Sequence, residues 1–113
     1  MKLDIKKVKI FVTIPLENVE EVRNAICGVG AGIIGEYSYC TTSVKSLGTF
    51  IPSGNANPHI GERNKLEFVE EEKLEVVCDV NLVKKVISKL REVHPYEEPA
   101  IDIVPLLEED TFV

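Results

Sequence analysis

A chain of 113 residues has room for one compact domain and one core, which we take as residues 1–113. No apolar run approaches the length of a membrane span, which excludes a helical membrane protein. Acidic residues outnumber basic ones, 19 to 13, for a net charge of −6. The excess lies in the second half, so nucleic acid is excluded as a partner, because phosphate binding needs a concentrated basic face. The three cysteines, Cys27, Cys40 and Cys78, form no C-x-x-C pair and read as small buried hydrophobes.

The opening "MKLDIKKVKIFVTI" joins basic residues to an apolar stretch. Lys9 interrupts that stretch, Pro15 ends it, and no small-residue cleavage site follows. It reads as a strand over 8–14 and not as a signal peptide, and a cytoplasmic location is expected. In "LENVEEVRNAICGVG", Leu16, Val19, Val22, Ala25, Ile26 and Val29 recur at helical spacing, with Glu17, Glu20 and Glu21 in the first turns where the dipole favours them. The alternation of "EYSYCTTSV" predicts a strand over 36–44.

Between these elements "GVGAGIIG" spells G-x-G-x-x-G at Gly30, Gly32 and Gly35. A dinucleotide fingerprint follows a strand and opens a helix, so that a pyrophosphate meets free N–H groups. Here the glycines follow a helix and precede a strand. They are expected to end the helix and turn the chain.

"LGTFIP" predicts a short extra strand, and "SGNANPHIGERN" a loop long enough to be functional. "KLEFVEEEKLEVVCDV" reads as two strands, or one strand broken near the acidic run 70–72. Asn81 is a candidate N-cap for a helix whose Leu82, Val83, Val86, Ile87, Leu90 and Val93 share one face. Pro95 ends that helix at His94, and "AIDIV" gives a last strand over 100–104. The order β-α-β, then β-α-β, predicts an α+β, ferredoxin-like fold: an antiparallel sheet with two helices on one face.

Two clusters carry candidate chemistry. "HPYEEP" gathers His94, Tyr96, Glu97 and Glu98, and an imidazole with carboxylates suits a divalent metal such as zinc, copper or nickel. The alternative is a rigid turn held by Pro95 and Pro99. "GNANPHIG" offers Asn55, Asn57 and His59 as a ligand loop, or else as a structured loop tip. His59 is also a candidate fourth metal ligand beside His94, Glu97 and Glu98, reaching across a subunit interface. No nucleophile–base pair is visible.

Three stretches, "GAGIIGEYSYC", "GTFIPSGNANPHIG" and "HPYEEPAIDIVPL", closely resemble the inserted middle domain of the Nif-three-like (YqfO-type) family, and the likeness covers residues 8 to 107. The ends, Ile10 to Pro15 and "HPYEEP", are also similar to the CutA divalent-ion-tolerance proteins. The resemblance implies the trimer-forming, PII/CutA-like variant of the fold, with a ligand cleft between subunits. The stretch Thr41 to Leu47 departs from the family pattern, with Gly48 alone before Phe50. Larger family members carry a dinuclear metal site in flanking domains, and some are described as GTP cyclohydrolases. No counterpart of those flanks is seen here. The expectation is therefore a non-enzymatic homotrimer that binds a divalent metal ion or small ligand and regulates an unnamed protein partner. The alternatives are part of a metal-dependent hydrolase, or a bare assembly module without ligand.

Overall fold

The structure, a computed structural model, describes residues 4–112. Four strands and two helices follow one another: β1 (Lys7–Pro15), α1 (Val19–Gly28), β2 (Thr41–Phe50), β3 (Glu67–Asp79), α2 (Val83–Val93) and β4 (Ile101–Leu106). The strands form one antiparallel sheet in the order β2-β3-β1-β4. This is the ferredoxin-like α+β arrangement. No helix among the described residues is long and apolar enough to cross a membrane.

The core follows from two periodicities. Alternate residues of β1, Val8, Ile10, Val12 and Ile14, are buried, as are Leu74, Val76 and Cys78 of β3. Val19, Val22 and Ile26 of α1 and Val86 and Leu90 of α2 fall on single helical faces and join the same cluster. The two helices thus cover one face of the sheet. Residues on the opposite parity, Thr13 of β1 and Glu71 of β3 among them, belong to the other face.

Four expectations are corrected. Residues 36–40 are not strand. Gly30, Gly32 and Gly35 all have positive φ, as does Tyr39 at 58°, so the chain is still turning there, and β2 starts only at Thr41. The strand at 36–44 and the extra strand at 47–52 are one element, because every residue of 41–50 finds a partner on β3, from Thr41↔Val76 to Phe50↔Glu67. The acidic run 70–72 does not break β3, which pairs without interruption on both sides. Asn81 makes no capping bond. The residues 80–82 form a single 3-10 turn, and α2 follows it with Leu82 in the cap position.

The glycine turn takes the structural role expected of it. α1 ends at Gly28, and Gly32 donates a 2.8 Å hydrogen bond to the Val77 carbonyl while its own carbonyl accepts from Cys40. A Cβ on Gly32 would lie 3.1 Å from the Cys40 nitrogen and 3.3 Å from the Cys27 Sγ. The turn is tied to β3 and to the approach to β2 where the fingerprint reading would have needed open N–H groups.

Pro15, the last residue of β1, pairs with Glu71. Beyond that point only β2 and β3 continue, as a two-stranded arm over 67–70 and 47–50.

Candidate functional site

Where α2 ends, Pro95 forces His94 into extended backbone, φ −70° and ψ 134°. The following residues pass around the end of β1, from the helix layer to the opposite face of the sheet. His94 is the hinge of this passage and is 6% exposed. Its Nε2 lies 2.8 Å from the Thr13 carbonyl, and its Nδ1 accepts the Tyr96 N–H at 3.1 Å. The pairing fixes the tautomer. A backbone N–H can only donate, so Nδ1 carries the lone pair and Nε2 the proton. Thr13 lies one residue past the last β4 partner of β1, Val12↔Ile101, which leaves its carbonyl to the imidazole. Burial pushes the His94 pKa below its ordinary value, and the hydrogen bond to Thr13 and the nearby Glu71 charge only partly offset this.

Tyr96 then reaches the far face. Its ring packs against His94, with centroids 4.9 Å apart, and its hydroxyl donates a 2.8 Å hydrogen bond to Glu71 Oε2. Burial, then the Glu71 hydrogen bond and charge, raise the phenol pKa well above its usual value. Glu71 is 5% exposed, one of two buried polar or charged side chains among the described residues. Its other oxygen, Oε1, occupies the place where a Cβ on Gly48 would stand. Glu71 pairs with Ser46, and only a glycine two residues further along β2 lets the carboxylate lie there.

The loop after β2 closes over this group. Phe50 and His59 approach Tyr96 with ring centroids 6.5 and 6.3 Å away, and the Asn57 N–H donates to Glu97 Oε1 at 3.2 Å. Loop and turn border an open-sided cavity of about 250 Å³, floored by Thr13, Gly48 and Glu71 and walled by Phe50, His59 and Tyr96.

The sequence candidates are divided by this geometry. His59, Glu97 and Glu98 line the cavity. Asn55 and Asn57 do not. Both are exposed, Asn55 in a local turn with Ser53 and Asn57 engaged through its backbone. His94 stands behind Tyr96 with both ring nitrogens in hydrogen bonds. Glu98 lies 3.8 Å from Arg91 at the surface. Among the described residues no group of three or more His, Cys, Asp or Glu side chains is arranged to hold a metal ion. Two participants, Glu71 and Gly48, were missed. The only signal for them was an acid at an outward position of a strand and a glycine inside its neighbour, which marks a close approach.

No family model matches the chain. It is 46% identical over 101 residues to the GTP cyclohydrolase 1 type 2 homolog of Halalkalibacterium halodurans, a match that takes in 89% of this chain and 27% of that protein. The crystal structure of a Bacillus cereus protein related to NIF3 has a TM-score of 0.78 at 40% identity, covering 93% of this chain and 27% of the other. The periplasmic divalent cation tolerance protein CutA of Archaeoglobus fulgidus has a TM-score of 0.67 at 18% identity, covering 90% and 85%. That last likeness is one of fold. Both resemblances read from the motifs are therefore found. The chain spans about a quarter of the length of the curated relatives it matches.

Proposed function

We propose that this chain is a non-enzymatic, homotrimeric module of the PII/CutA-like type that takes a small ligand in the cavity beside Tyr96 and passes its occupancy to a protein partner. One observation carries the reading. The cavity wall is built from a connected set of hydrogen bonds, Thr13 to His94 to Tyr96 to Glu71, drawn from three separate parts of the chain. A wall of buried polar groups tied together by hydrogen bonds is preorganised, which is what a binding site requires.

The same bonds argue for binding without chemistry. Both nitrogens of the one buried imidazole are used, so it offers no free base. The GTP in the relatives' name gains no support from this cavity. Glu71, Glu97 and Glu98 line it, and neither lysine nor arginine stands among the lining residues, so a triphosphate would meet repulsion.

Assembly is supported by the unpaired edges of β2 and β4. Leu47 and Phe68 on the projecting arm, and Ile103 and Leu107 by the opposite edge, are exposed apolar side chains. A neighbouring copy would cover both. Light scattering at micromolar concentration tests the trimer, and a monomer there defeats it. Thermal shift against small charged and neutral molecules tests the site, because a ligand that binds only the native form raises the melting temperature. A bare assembly module would give the trimer and no shift.

A further inference from the structure

We propose that the cavity selects small organic cations, an alkylammonium or guanidinium group, and that Glu71 is their counter-ion. The inference rests on the reading above that this cavity is a ligand site, and it names the ligand class.

Glu71 carries the argument. A carboxylate removed from water needs charged or multiple hydrogen-bonding partners. This one is almost fully buried, yet its hydrogen bonding among the described residues is a single phenol on Oε2. Oε1 lies where a Gly48 side chain would begin, no hydrogen bond among the described residues uses it, and it is not sealed from solvent. The nearest cation along the strand on the same face is Lys73, and it is committed elsewhere, its Nζ 5.3 Å from the Phe11 ring centroid. Glu71 and Gly48 both line the cavity. A cation placed in it would replace solvent at Oε1 as the partner of the carboxylate.

The walls agree. Tyr96, Phe50 and His59 present aromatic surface, and ring faces attract ammonium and guanidinium groups, most strongly where water is excluded. Glu97 and Glu98 at the mouth add negative potential. The volume, about 250 Å³, lies just below the roughly 300–1,000 Å³ typical of drug-sized ligands. A compact cation fits these terms, and a nucleotide does not.

The test uses three probes of similar size on the whole chain: n-butylammonium, n-butanol and n-butyrate, titrated while the Gly48 and Tyr96 amide signals are followed by NMR. The expected result is binding of n-butylammonium about tenfold or more tighter than n-butanol, as a hydrogen bond to a charged partner implies, with n-butyrate weakest. In Glu71→Gln, which keeps an oxygen for the Tyr96 hydroxyl, the preference for the cation should disappear. In the Glu97→Gln, Glu98→Gln double variant it should persist. Equal binding of n-butanol and n-butylammonium to the wild type would overturn the cation assignment while leaving a ligand cavity. Loss of the preference in the double variant but not in Glu71→Gln would overturn Glu71 as the counter-ion. No response to any probe would overturn the ligand site itself. The wild-type comparison decides the matter even if Glu71→Gln does not fold.

Discussion

Tyr96 and Glu71, twenty-five residues apart in sequence, meet through a 2.8 Å hydrogen bond on the face of the sheet that the helices leave uncovered. Each explains the other. The phenol gives a buried carboxylate its donor, and the carboxylate holds the phenol protonated.

Tyr96→Phe removes that donor and leaves a buried carboxylate unpaired. We expect a loss of about 1–3 kcal/mol in unfolding free energy, read as a lower urea midpoint at unchanged slope. Gly48→Ala should weaken the same contact from the other side, because the added methyl claims the position of Glu71 Oε1. A Tyr96→Phe midpoint equal to wild type would mean that the hydrogen bond contributes nothing net.

Acid should loosen the fold through His94. Its folded-state pKa lies below its unfolded value of 6.5, so between the two values the unfolded chain binds the extra proton and stability falls as pH falls. The contribution is fully present above pH 6.5 and is lost progressively below it. Urea midpoints measured on either side of pH 6.5 should show this slope, and a His94→Gln variant should flatten it. Parallel slopes in the two proteins would exclude the imidazole as the cause.

Alkali should act through Tyr96 with the opposite sign of proton uptake. The folded phenol holds its proton above the ordinary value of 10.0, so the folded state binds more protons than the unfolded one as pH rises past that point. Stability is present below pH 10 and is lost above it. Tyr96→Phe should remove this alkaline component. The absorbance titration of native protein should also lose its highest step in that variant.

Two glycines four residues apart should respond in opposite directions to alanine. Gly28 ends α1 with open space around it, and Gly28→Ala should stabilise by about 0.5–1 kcal/mol. Gly32 has φ +80° and backbone atoms of Cys40 within 3.1 and 3.3 Å of a new Cβ, so Gly32→Ala should cost more than about 1 kcal/mol. Thermal unfolding of the two variants checks the pair. The same sign for both would contradict the turn geometry.

The core and the order of its elements were legible because they rest on period. Val8 to Ile14 alternate, and Val19, Val22 and Ile26 recur at helical spacing, whatever lies elsewhere in the chain. The boundaries of β2 were not, since "EYSYC" alternates like a strand but follows three positive-φ glycines and contains Tyr39 in the left-handed region. A pairing partner sets a strand's limits, and β3 lies beyond a long loop. The HPYEEP turn was recognisable from its two prolines, and His59 from its place in that loop. Glu71 was hidden inside the run 70–72, where three identical residues alternate in direction. Only the middle one faces Gly48 and Tyr96, and neither contact has a local sequence signature.

The third strand of support stops at Glu71, where Pro15 ends β1. The cavity therefore straddles a mechanical boundary. Thr13, Glu71 and Tyr96 are anchored to a multistranded body that opens only with the core, whereas Phe50 and the loop bearing His59 hang from a two-stranded ribbon, an element with little stability of its own. Amide hydrogens on the ribbon should exchange by small local openings, and those on Val12, Leu74 and Val76 only by global ones. The half borne by the ribbon is expected to open at a smaller free-energy cost than the half anchored in the sheet. Entry to this open-sided space then requires no unfolding, and anything bound against both halves should slow exchange on both, because it binds neither the opened ribbon nor the unfolded chain.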